Sequence, residues 1–282
     1  MWNTDLGDVD AVIERALGED LAAGDVTSAA TVPPGLKVDA KLVAKAPMVV
    51  CGLFVAGRVF SRLDRGVRFT ATAAEGNWVQ VGEQLATLEG NARALLAGER
   101  TALNLLQRLS GIATLTRAYA DAAGDKTRIS DTRKTTPGLR RLQRYAVRCG
   151  GGRNHRNDLG SGVLIKENHI RCAGGVKAAV RAARRRAPHS LRIECEVTDF
   201  AELDEALDAG AEVIMLDNMD DHRVQAAVAR VDGRAIVEVS GGITLSRVAT
   251  LAAAGVDVIS VGALTHSAPA VDISMLFGAP PS

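Results

Sequence analysis

The chain has 282 residues, a formal net charge of +1, 47% apolar residues and 24% charged residues, an ordinary composition for a soluble globular protein. No apolar run approaches the roughly 20 residues that span a bilayer, and the N-terminal segment carries acids such as Asp5 and Glu14 instead of a basic signal-peptide start. These features exclude a membrane-spanning protein, and we expect a cytoplasmic protein of one large or two smaller domains.

The first half of the chain, residues 1–110, is predicted to form an α+β domain. Apolar residues at helical spacing predict a helix over residues 9–17. Alternating and short apolar runs predict strands within 36–52, and strands with tight turns within 67–90. A long helix is then predicted over 91–123, beginning in this domain and continuing past it.

From about residue 125 the pattern alternates between strand, loop and helix, which indicates an α/β fold with a parallel sheet. Six β-rich runs occur at 127–131, 163–166, 193–197, 213–216, 235–239 and 256–261. Six such units favour an incomplete α/β barrel, while an open doubly wound sheet stays the alternative on the pattern alone. We assign the barrel domain to 111–270 and expect residues 271–282 to be a tail that packs back on the N-terminal domain.

Polar or small residues follow each strand of the predicted barrel, where the carboxyl ends of parallel strands meet at one face. They are Asp131, Arg133, Lys134, Lys166, Glu196, Asp217, Asn218, Ser240, Gly241, Gly242 and Gly262. The later ones recur every 21 to 23 residues, the length of one βα unit. The first two loops supply cations, the middle two supply carboxylates, and the last two supply small residues and backbone amides.

These residue types indicate a site for a phosphorylated sugar. Glu194 and Glu196 are two apart on a strand and therefore share a face, where carboxylates bind magnesium or sugar hydroxyls. Backbone amides at 240–242 and 261–263, each before a helix, are typical of phosphate binding, and His266 adds a donor. Each feature alone also has a structural explanation, because 240–242 is a common βα turn and Glu194 fits a packing role.

A basic segment over residues 131–156 contains eight Lys or Arg residues and one acid. Its central part is predicted to be a helix whose arginines surround an apolar stripe and face solvent. Two basic pairs lie instead beside strand ends. They are Arg133 and Lys134 before this helix, and His155 and Arg156 after it. Converging cations are stable there when a multiply charged anion pairs with them, so we expect an anion-binding region.

The four cysteines, Cys51, Cys149, Cys172 and Cys195, are widely spaced and form no Cys-x-x-Cys motif. This spacing argues against a zinc module and against a disulfide framework. His169 and Cys172 are three residues apart and could share a helix face as metal ligands. Because no further ligands accompany them, a surface histidine near a buried cysteine is the simpler interpretation.

Several motifs resemble the quinolinate phosphoribosyltransferase family of type II phosphoribosyltransferases, in order and over nearly the whole chain. They are ALGEDLAAGDVTS, GERTALNLLQRLSGIAT, DTRKTTPGLR, YAVRCGGGRNHR, LIKENHI, IMLDN and VGALTHSAPAVDIS. Asp158, in HRNDLG, is a mild departure from the family pattern, which more often has Gly at this position.

The resemblance implies an N-terminal α+β sandwich, an incomplete C-terminal barrel, and a homodimer or higher oligomer in which each active site borrows residues from the neighbouring subunit. It implies that quinolinate and phosphoribosyl pyrophosphate react to give nicotinate mononucleotide, pyrophosphate and carbon dioxide. It also implies that the reaction uses Mg²⁺ and needs no organic cofactor. It also implies roles for individual residues. Arg100 would reach the neighbouring subunit's quinolinate.

The other roles implied by the resemblance fall into three groups. The substrate carboxylates and the pyrophosphate would meet Arg133, Lys134, His155, Arg156 and Lys166. The ribose hydroxyls or Mg²⁺ would meet Glu196 and Asp217, which with Lys134 and Lys166 are the expected catalytic residues. The 5′-phosphate would meet Ser240, Gly241, Gly262 and His266.

Two other functions compete with this one. A nucleic-acid-binding protein would use the basic segment, but the chain is almost neutral, aromatics are only 3% of it, and the strand-end acids would repel phosphates. A paralogous phosphoribosyltransferase would share the fold and the phosphoribosyl donor, and would act on another pyridine carboxylate or beside a molybdate-transport system. We therefore expect no nucleic-acid partner, and we expect quinolinate to be the acceptor.

Overall fold

The computed structural model describes residues 7–278, so Asp5 and the last four residues of the expected tail lie outside the described part. The elements up to residue 123 are, in chain order, α1 (Gly7–Asp20), α2 (Val26–Thr31), β1 (Lys37–Ala44), β2 (Met48–Val49), α3 (Leu53–Leu63), β3 (Arg68–Ala71), β4 (Trp78–Val79), β5 (Gln84–Asn91) and α4 (Ala92–Ala123). The predicted strand regions and the long helix are present.

The later elements alternate strand and helix. They are β6 (Arg128–Ser130), α5 (Arg140–Cys149), β7 (Val163–Ile165), α6 (Glu167–Ala173), α7 (Val176–Arg186), β8 (Ile193–Val197), α8 (Phe200–Ala209), β9 (Val213–Asp217), α9 (Asp221–Val231), β10 (Ile236–Ser240), α10 (Leu245–Ala253), β11 (Val258–Ser260), α11 (Ala263–His266) and β12 (Ile273–Phe277). Among residues 7–278, no helix combines the length and the apolar character that crossing a membrane requires.

The chain divides into two compact units. Unit 1 contains 1–117, 135–151 and 265–282, and unit 2 contains 118–134 and 152–264. Each unit is therefore assembled from separate stretches of the chain. Helix α4 runs unbroken through residue 110, and the segment with α5 returns to unit 1 because the rings of Tyr145 and Phe54 pack edge to face, 5.3 Å apart.

Unit 1 is built on a four-stranded antiparallel sheet in the order β12–β1–β5–β3, with a separate ladder between β2 and β4. Strand β1 alternates exposed and buried residues over its first half, which is the pattern of a sheet with one face on a core. Strand β12, which pairs with β1 at the edge of this sheet, also contacts α4, because Gln107 donates to the carbonyl oxygen of Ile273 at 2.9 Å. Gly111 allows this approach, because a Cβ there would lie 2.0 Å from the carbonyl oxygen of Pro269.

Unit 2 is built on a six-stranded parallel sheet in the order β6–β11–β10–β9–β8–β7. Strands β7 to β11 follow one another along the chain, and β6, the first strand, joins beyond the last. This order is that of a barrel, whereas a doubly wound sheet reverses its direction in the middle. Helices such as α8 cover the sheet, with Leu203, Ala206 and Ala209 buried.

The sheet curls strongly. Arg153 forms a parallel bridge with Ser130 on the outer side of β6, yet His155, two residues later, contacts Glu194 on β8 at 3.2 Å. Four strand spacings of a flat sheet would separate β6 and β8 by roughly 19 Å. The two edges of the sheet therefore approach each other, and the predicted incomplete barrel is confirmed.

Candidate active site

The strand ends of unit 2 form a single rim, which we define by Asp131–Lys134, Lys166, Glu196, Asp217–Asn218, Ser240–Gly242 and Gly262. Each of these residues ends a strand of the parallel sheet, lies near its carboxyl end, or follows it directly. Because neighbouring strands are parallel and in register, with Asp217 beside Ser240 and Val197 beside Leu216, these ends lie along one edge of the sheet. The structure brings the predicted strand-end residues together at this rim.

Lys166 and Glu196 form an ion pair on adjacent strand ends of the rim. Nζ of Lys166 donates to the Glu196 carboxylate, and the Lys166 side chain is 47% exposed whereas that of Glu196 is 12% exposed. A half-exposed cation held by a shielded acid is pre-positioned but still accessible. An anionic substrate can replace the water around the exposed part of Lys166, so this arrangement suits contact with such a substrate.

The turn after β10 fits closely against the loop after β9. Asn218 has a φ of +54° and donates through Nδ2 to the Asp217 carboxylate at 2.7 Å. Gly241 has a φ of +86°, and a Cβ there would lie 2.3 Å from Oδ1 of Asn218. Only glycine combines this backbone conformation with such an approach, so Gly241 fixes the loop that carries Asp217.

Behind the rim, the barrel interior contains a buried histidine between two carboxylates. Nε2 of His155 lies 3.2 Å from Glu194 and 3.4 Å from Glu238, and the three side chains are 13%, 10% and 5% exposed. Ser260 donates its hydroxyl to the same Glu238 oxygen. The arrangement satisfies buried polar groups that would otherwise cost free energy.

The loop that carries His155 is held from β6. Asp131, which is fully buried, accepts from the His155 backbone N–H at 2.7 Å and from Asn154 Nδ2 at 2.6 Å. Asp131 was predicted only as a polar residue at a strand end. Its contacts give it the structural role of fixing the 154–156 loop at the rim.

Electrostatics in this region follow from burial and neighbouring charges. Burial alone would lower the pKa of His155, but its hydrogen bonds to Glu194 and Glu238 outweigh burial and raise the pKa to about 10. Burial raises the pKa of the Glu194 carboxyl. Burial and the nearby charge of Arg133 lower the pKa of Arg156. Cations therefore do converge beside the His155 loop, as the basic segment indicated.

Lys134 is exposed at the end of the rim, with its backbone N–H bonded to Thr132 Oγ1 at 3.0 Å. Two further predicted residues belong to unit 1 and are not part of the rim. Arg100 is exposed on α4, and His266 ends α11 with Nδ1 2.6 Å from Ser267 Oγ. The geometry of unit 2 therefore does not include Arg100 or His266.

Sequence reasoning missed Glu238 and Ser260. The strand register places both Glu196 and Glu238 beside Met215, so Glu238 occupies in β10 the place that Glu196 has in β8. The expectation of a buried cysteine near His169 was wrong, since Cys172 is exposed on α6. Nδ1 of His169 accepts the Lys166 backbone N–H at 3.0 Å, which explains this histidine without a metal.

Two family models match the chain over most of its length. Residues 25–110 match the family model for the quinolinate phosphoribosyl transferase N-terminal domain, and residues 112–276 match the model for its C-terminal domain. The chain is 47% identical over 270 residues to the nicotinate-nucleotide pyrophosphorylase (carboxylating) of Mycobacterium leprae, covering 93% of this chain and 95% of that protein.

The probable nicotinate-nucleotide pyrophosphorylase (carboxylating) of Bacillus subtilis is 44% identical, covering 91% of this chain and 89% of that protein. The crystal structure of NadC from Streptococcus pyogenes superposes with a TM-score of 0.93 at 38% identity, covering 98% of each chain. Two matched domains, relatives at this identity and the same fold along the whole length lead to one conclusion: the chain belongs to the quinolinate phosphoribosyltransferase family.

Proposed function

We propose that this chain transfers the phosphoribosyl group of phosphoribosyl pyrophosphate to quinolinate and decarboxylates the adduct, giving nicotinate mononucleotide, pyrophosphate and carbon dioxide. The observation that carries the proposal is the rim, where a lysine–glutamate pair, a second carboxylate and a glycine turn lie on neighbouring strand ends. Family membership supports the same activity.

The acceptor is a flat dianion with two adjacent carboxylates, and it is best bound by cations from several directions. Arg133 and Arg156 are close enough for the charge of one to lower the pKa of the other. A carboxylate that arrives between them relieves this repulsion, and the planar guanidinium groups bind it in a bidentate manner. Lys134, Lys166 and the charged ring of His155 complete the proposed binding set.

Bonds break and form at two carbon atoms, the anomeric carbon of the ribose and the ring carbon next to the nitrogen. The bond from the anomeric carbon of the ribose to pyrophosphate breaks, and the ring nitrogen of quinolinate forms the new bond to that carbon. Positive charge develops on the sugar, and the carboxylates of Glu196 and Asp217 stabilise it while the rim cations neutralise the leaving group. The bond to the adjacent carboxylate then breaks as carbon dioxide leaves, its electron pair stays on the adjacent ring carbon where the positive nitrogen stabilises it, and that carbon takes up a proton.

Glu196 and Asp217 fit a magnesium ion. They are carboxylates on the ends of adjacent strands, and Mg²⁺ prefers oxygen ligands and is commonly held by one or two carboxylates together with substrate phosphates. We propose that these two residues hold Mg²⁺ with the pyrophosphate of the donor, where the ion would offset negative charge. No organic cofactor is needed for the chemistry described above.

The 5′-phosphate of the donor is assigned to the turn over 240–242 and to Gly262. Gly241 and Gly242 both have positive φ, and the turn lies just before α10. Turns of this kind direct backbone N–H groups at phosphate oxygens. Arg100 is assigned to the quinolinate site of a neighbouring subunit in a homodimer, and we place the protein in the cytoplasm.

The test is to incubate the purified protein with Mg²⁺, phosphoribosyl pyrophosphate and quinolinate and to detect nicotinate mononucleotide and carbon dioxide. Nicotinic acid is supplied in a parallel reaction. We expect product from quinolinate and little from nicotinic acid. Product from nicotinic acid alone would identify a paralogue with a different acceptor, and no product from either would contradict the proposal.

A further inference from the structure

Two cysteines that are far apart in the sequence meet beside a carboxylate in unit 1. Cys51 is fully buried, and Cys149 and Glu75 are partly buried. One ligand atom from each of the three residues, the two Sγ atoms and a carboxylate oxygen, lies within 4.8 Å of the others. The wide spacing that argued against a metal site concealed this cluster, because three separate segments supply it.

The framework around the cluster is rigid. Val50 donates to the carbonyl oxygen of Asn77 at 2.9 Å, and Gly76 donates to that of Val50 at 2.8 Å, so the segments carrying Cys51 and Glu75 are tied together. A Cβ at Gly76 would lie 3.2 Å from the Cys149 carbonyl oxygen, which places the third segment directly against the second. Ligands on such cross-linked segments lose little freedom when they bind an ion.

The distances suit a tetrahedral ion. Zn–S bonds of about 2.3 Å and Zn–O bonds of about 2.1 Å place tetrahedral ligand atoms roughly 3.5–3.8 Å from each other. The three ligand atoms, already within 4.8 Å of one another, would therefore need to approach by about 1.3 Å at most, which small side-chain rotations supply. Thiolates select zinc over magnesium or calcium, and three protein ligands with water in the fourth position are a known zinc arrangement.

Charges around the cluster offset the excess negative charge of such a site. Two thiolates, a carboxylate and Zn²⁺ sum to a net charge of −1. Glu75 accepts the backbone N–H groups of Gly52 at 2.7 Å and Phe54 at 3.4 Å, at the positive N-terminus of α3. The side-chain hydrogen bond with Cys51 lowers the pKa of the Cys149 thiol, and the nearby charge of Arg148 lowers it further, against the opposing effect of burial. These contacts also orient the carboxylate in the manner of outer-shell partners of metal ligands.

We propose that Cys51, Glu75 and Cys149 form a binding site for one zinc ion. The site has sulfur ligands and lies in unit 1, so it differs in chemistry and place from the oxygen ligands Glu196 and Asp217, and it does not depend on the proposed function. Binding displaces the thiol protons of Cys51 and Cys149 into solvent, so that two Zn–S bonds form as two S–H bonds break.

The proposal is tested by titrating the reduced, chelator-treated protein with Zn²⁺ and, separately, with Cd²⁺. Bound metal is measured by mass spectrometry, thiolate ligation by the near-ultraviolet absorption of cadmium–thiolate bonds, and released protons with a pH indicator. We expect one equivalent of metal, two thiolates per cadmium and about two protons released at a pH where both thiols are protonated. Zinc should also slow alkylation of Cys149 in the unaltered protein, a result that requires no variant.

Variants locate the site. Cys51→Ser and Cys149→Ser should each weaken zinc binding at least tenfold, and Glu75→Gln should weaken it less, whereas Cys172→Ser and Cys195→Ser should bind as the unaltered protein does. Far-UV circular dichroism checks that each variant is folded. Undiminished binding in both Cys51→Ser and Cys149→Ser, one thiolate per cadmium, or unchanged alkylation of Cys149 in excess zinc would each overturn the proposal.

Discussion

His155 has both ring nitrogens within hydrogen-bonding distance of protein groups, and the two contacts favour different protonation states. The Arg156 backbone N–H lies 2.8 Å from Nδ1, which accepts it only when Nδ1 carries no proton. Nε2 faces the Glu194 and Glu238 carboxylates. An ionised carboxylate about 3.3 Å away stabilises the charged ring by about 5 kcal/mol at an effective dielectric of 20. One amide contact contributes about 1 kcal/mol, so the charged ring is favoured.

We expect His155 to titrate at about pH 10, well above an ordinary histidine. NMR titration of the ring measures this pKa, and Glu238→Gln should lower it by removing one partner, while Glu205→Gln on the exposed face of α8 should not change it. Because the pKa of His155 is raised in the folded protein, its charged contacts stabilise the folded state. This contribution is complete below the ordinary pKa of 6.5 and is lost as the pH rises towards 10. A ring that titrates near 6.5 would show that the Arg156 amide contact prevails.

Lys166 and Arg133 are expected to contact substrate, so removing either side chain should slow turnover without unfolding the protein. We expect Lys166→Ala and Arg133→Ala to reduce kcat/KM at least tenfold, which corresponds to about 1.4 kcal/mol of lost transition-state stabilisation. Lys177→Ala, which removes an exposed cation on α7, is the matched control. Near-normal kinetics in either rim variant would remove that residue from the site.

Asp217→Asn tests the proposed magnesium ligand. The amide keeps the shape of the side chain and a contact to Asn218 but loses the negative charge, so the Mg²⁺ concentration that gives half-maximal activity should rise severalfold. Activity is measured as a function of Mg²⁺ for the variant and the unaltered protein. An unchanged magnesium response would contradict the assignment of Asp217.

At the scale of the element, the turn after β10 offers a matched pair of glycines. Both Gly241 and Gly242 have positive φ, so alanine at either position costs about 1–2 kcal/mol in backbone strain. Only at Gly241 would the added Cβ meet another group, Oδ1 of Asn218 at 2.3 Å, whereas nothing lies within 4 Å at Gly242. Gly241→Ala should therefore lower the free energy of unfolding, measured with urea, by more than Gly242→Ala does. Equal losses would show that Asn218 moves aside freely.

The elements could be predicted well from the sequence, and the contacts between them could not. Strand runs spaced by one βα unit located β8 to β11 and the rim residues at their ends, because period and spacing are local properties. The contact between His155 and Glu194 depends on how strongly the sheet curls, and the meeting of Cys51 with Cys149 depends on the return of α5 to unit 1. Neither follows from spacing along the chain.

At the scale of the whole molecule, the proposed exchange of Arg100 between subunits is open to a complementation test. Arg100→Ala and Lys166→Ala proteins, each expected to have little activity alone, are mixed under conditions that allow subunits to exchange. If Arg100 serves the partner's site, each mixed dimer has one intact and one doubly altered site, and a statistical mixture regains about a quarter of the normal activity. Mixing should restore nothing if Arg100 acts within its own subunit.

Strand β12 lies at the edge of the unit 1 sheet and pairs with β1 from Ala40 to Ala44. More than two hundred residues separate the two strands in the chain, and all of unit 2 is made between them. During translation, β1 therefore leaves the ribosome long before its partner exists and presents an unpaired edge in the meantime. A nascent chain stalled before Ile273 should be more prone to aggregation than the finished protein, and chaperones that shield β edges should matter most in that interval.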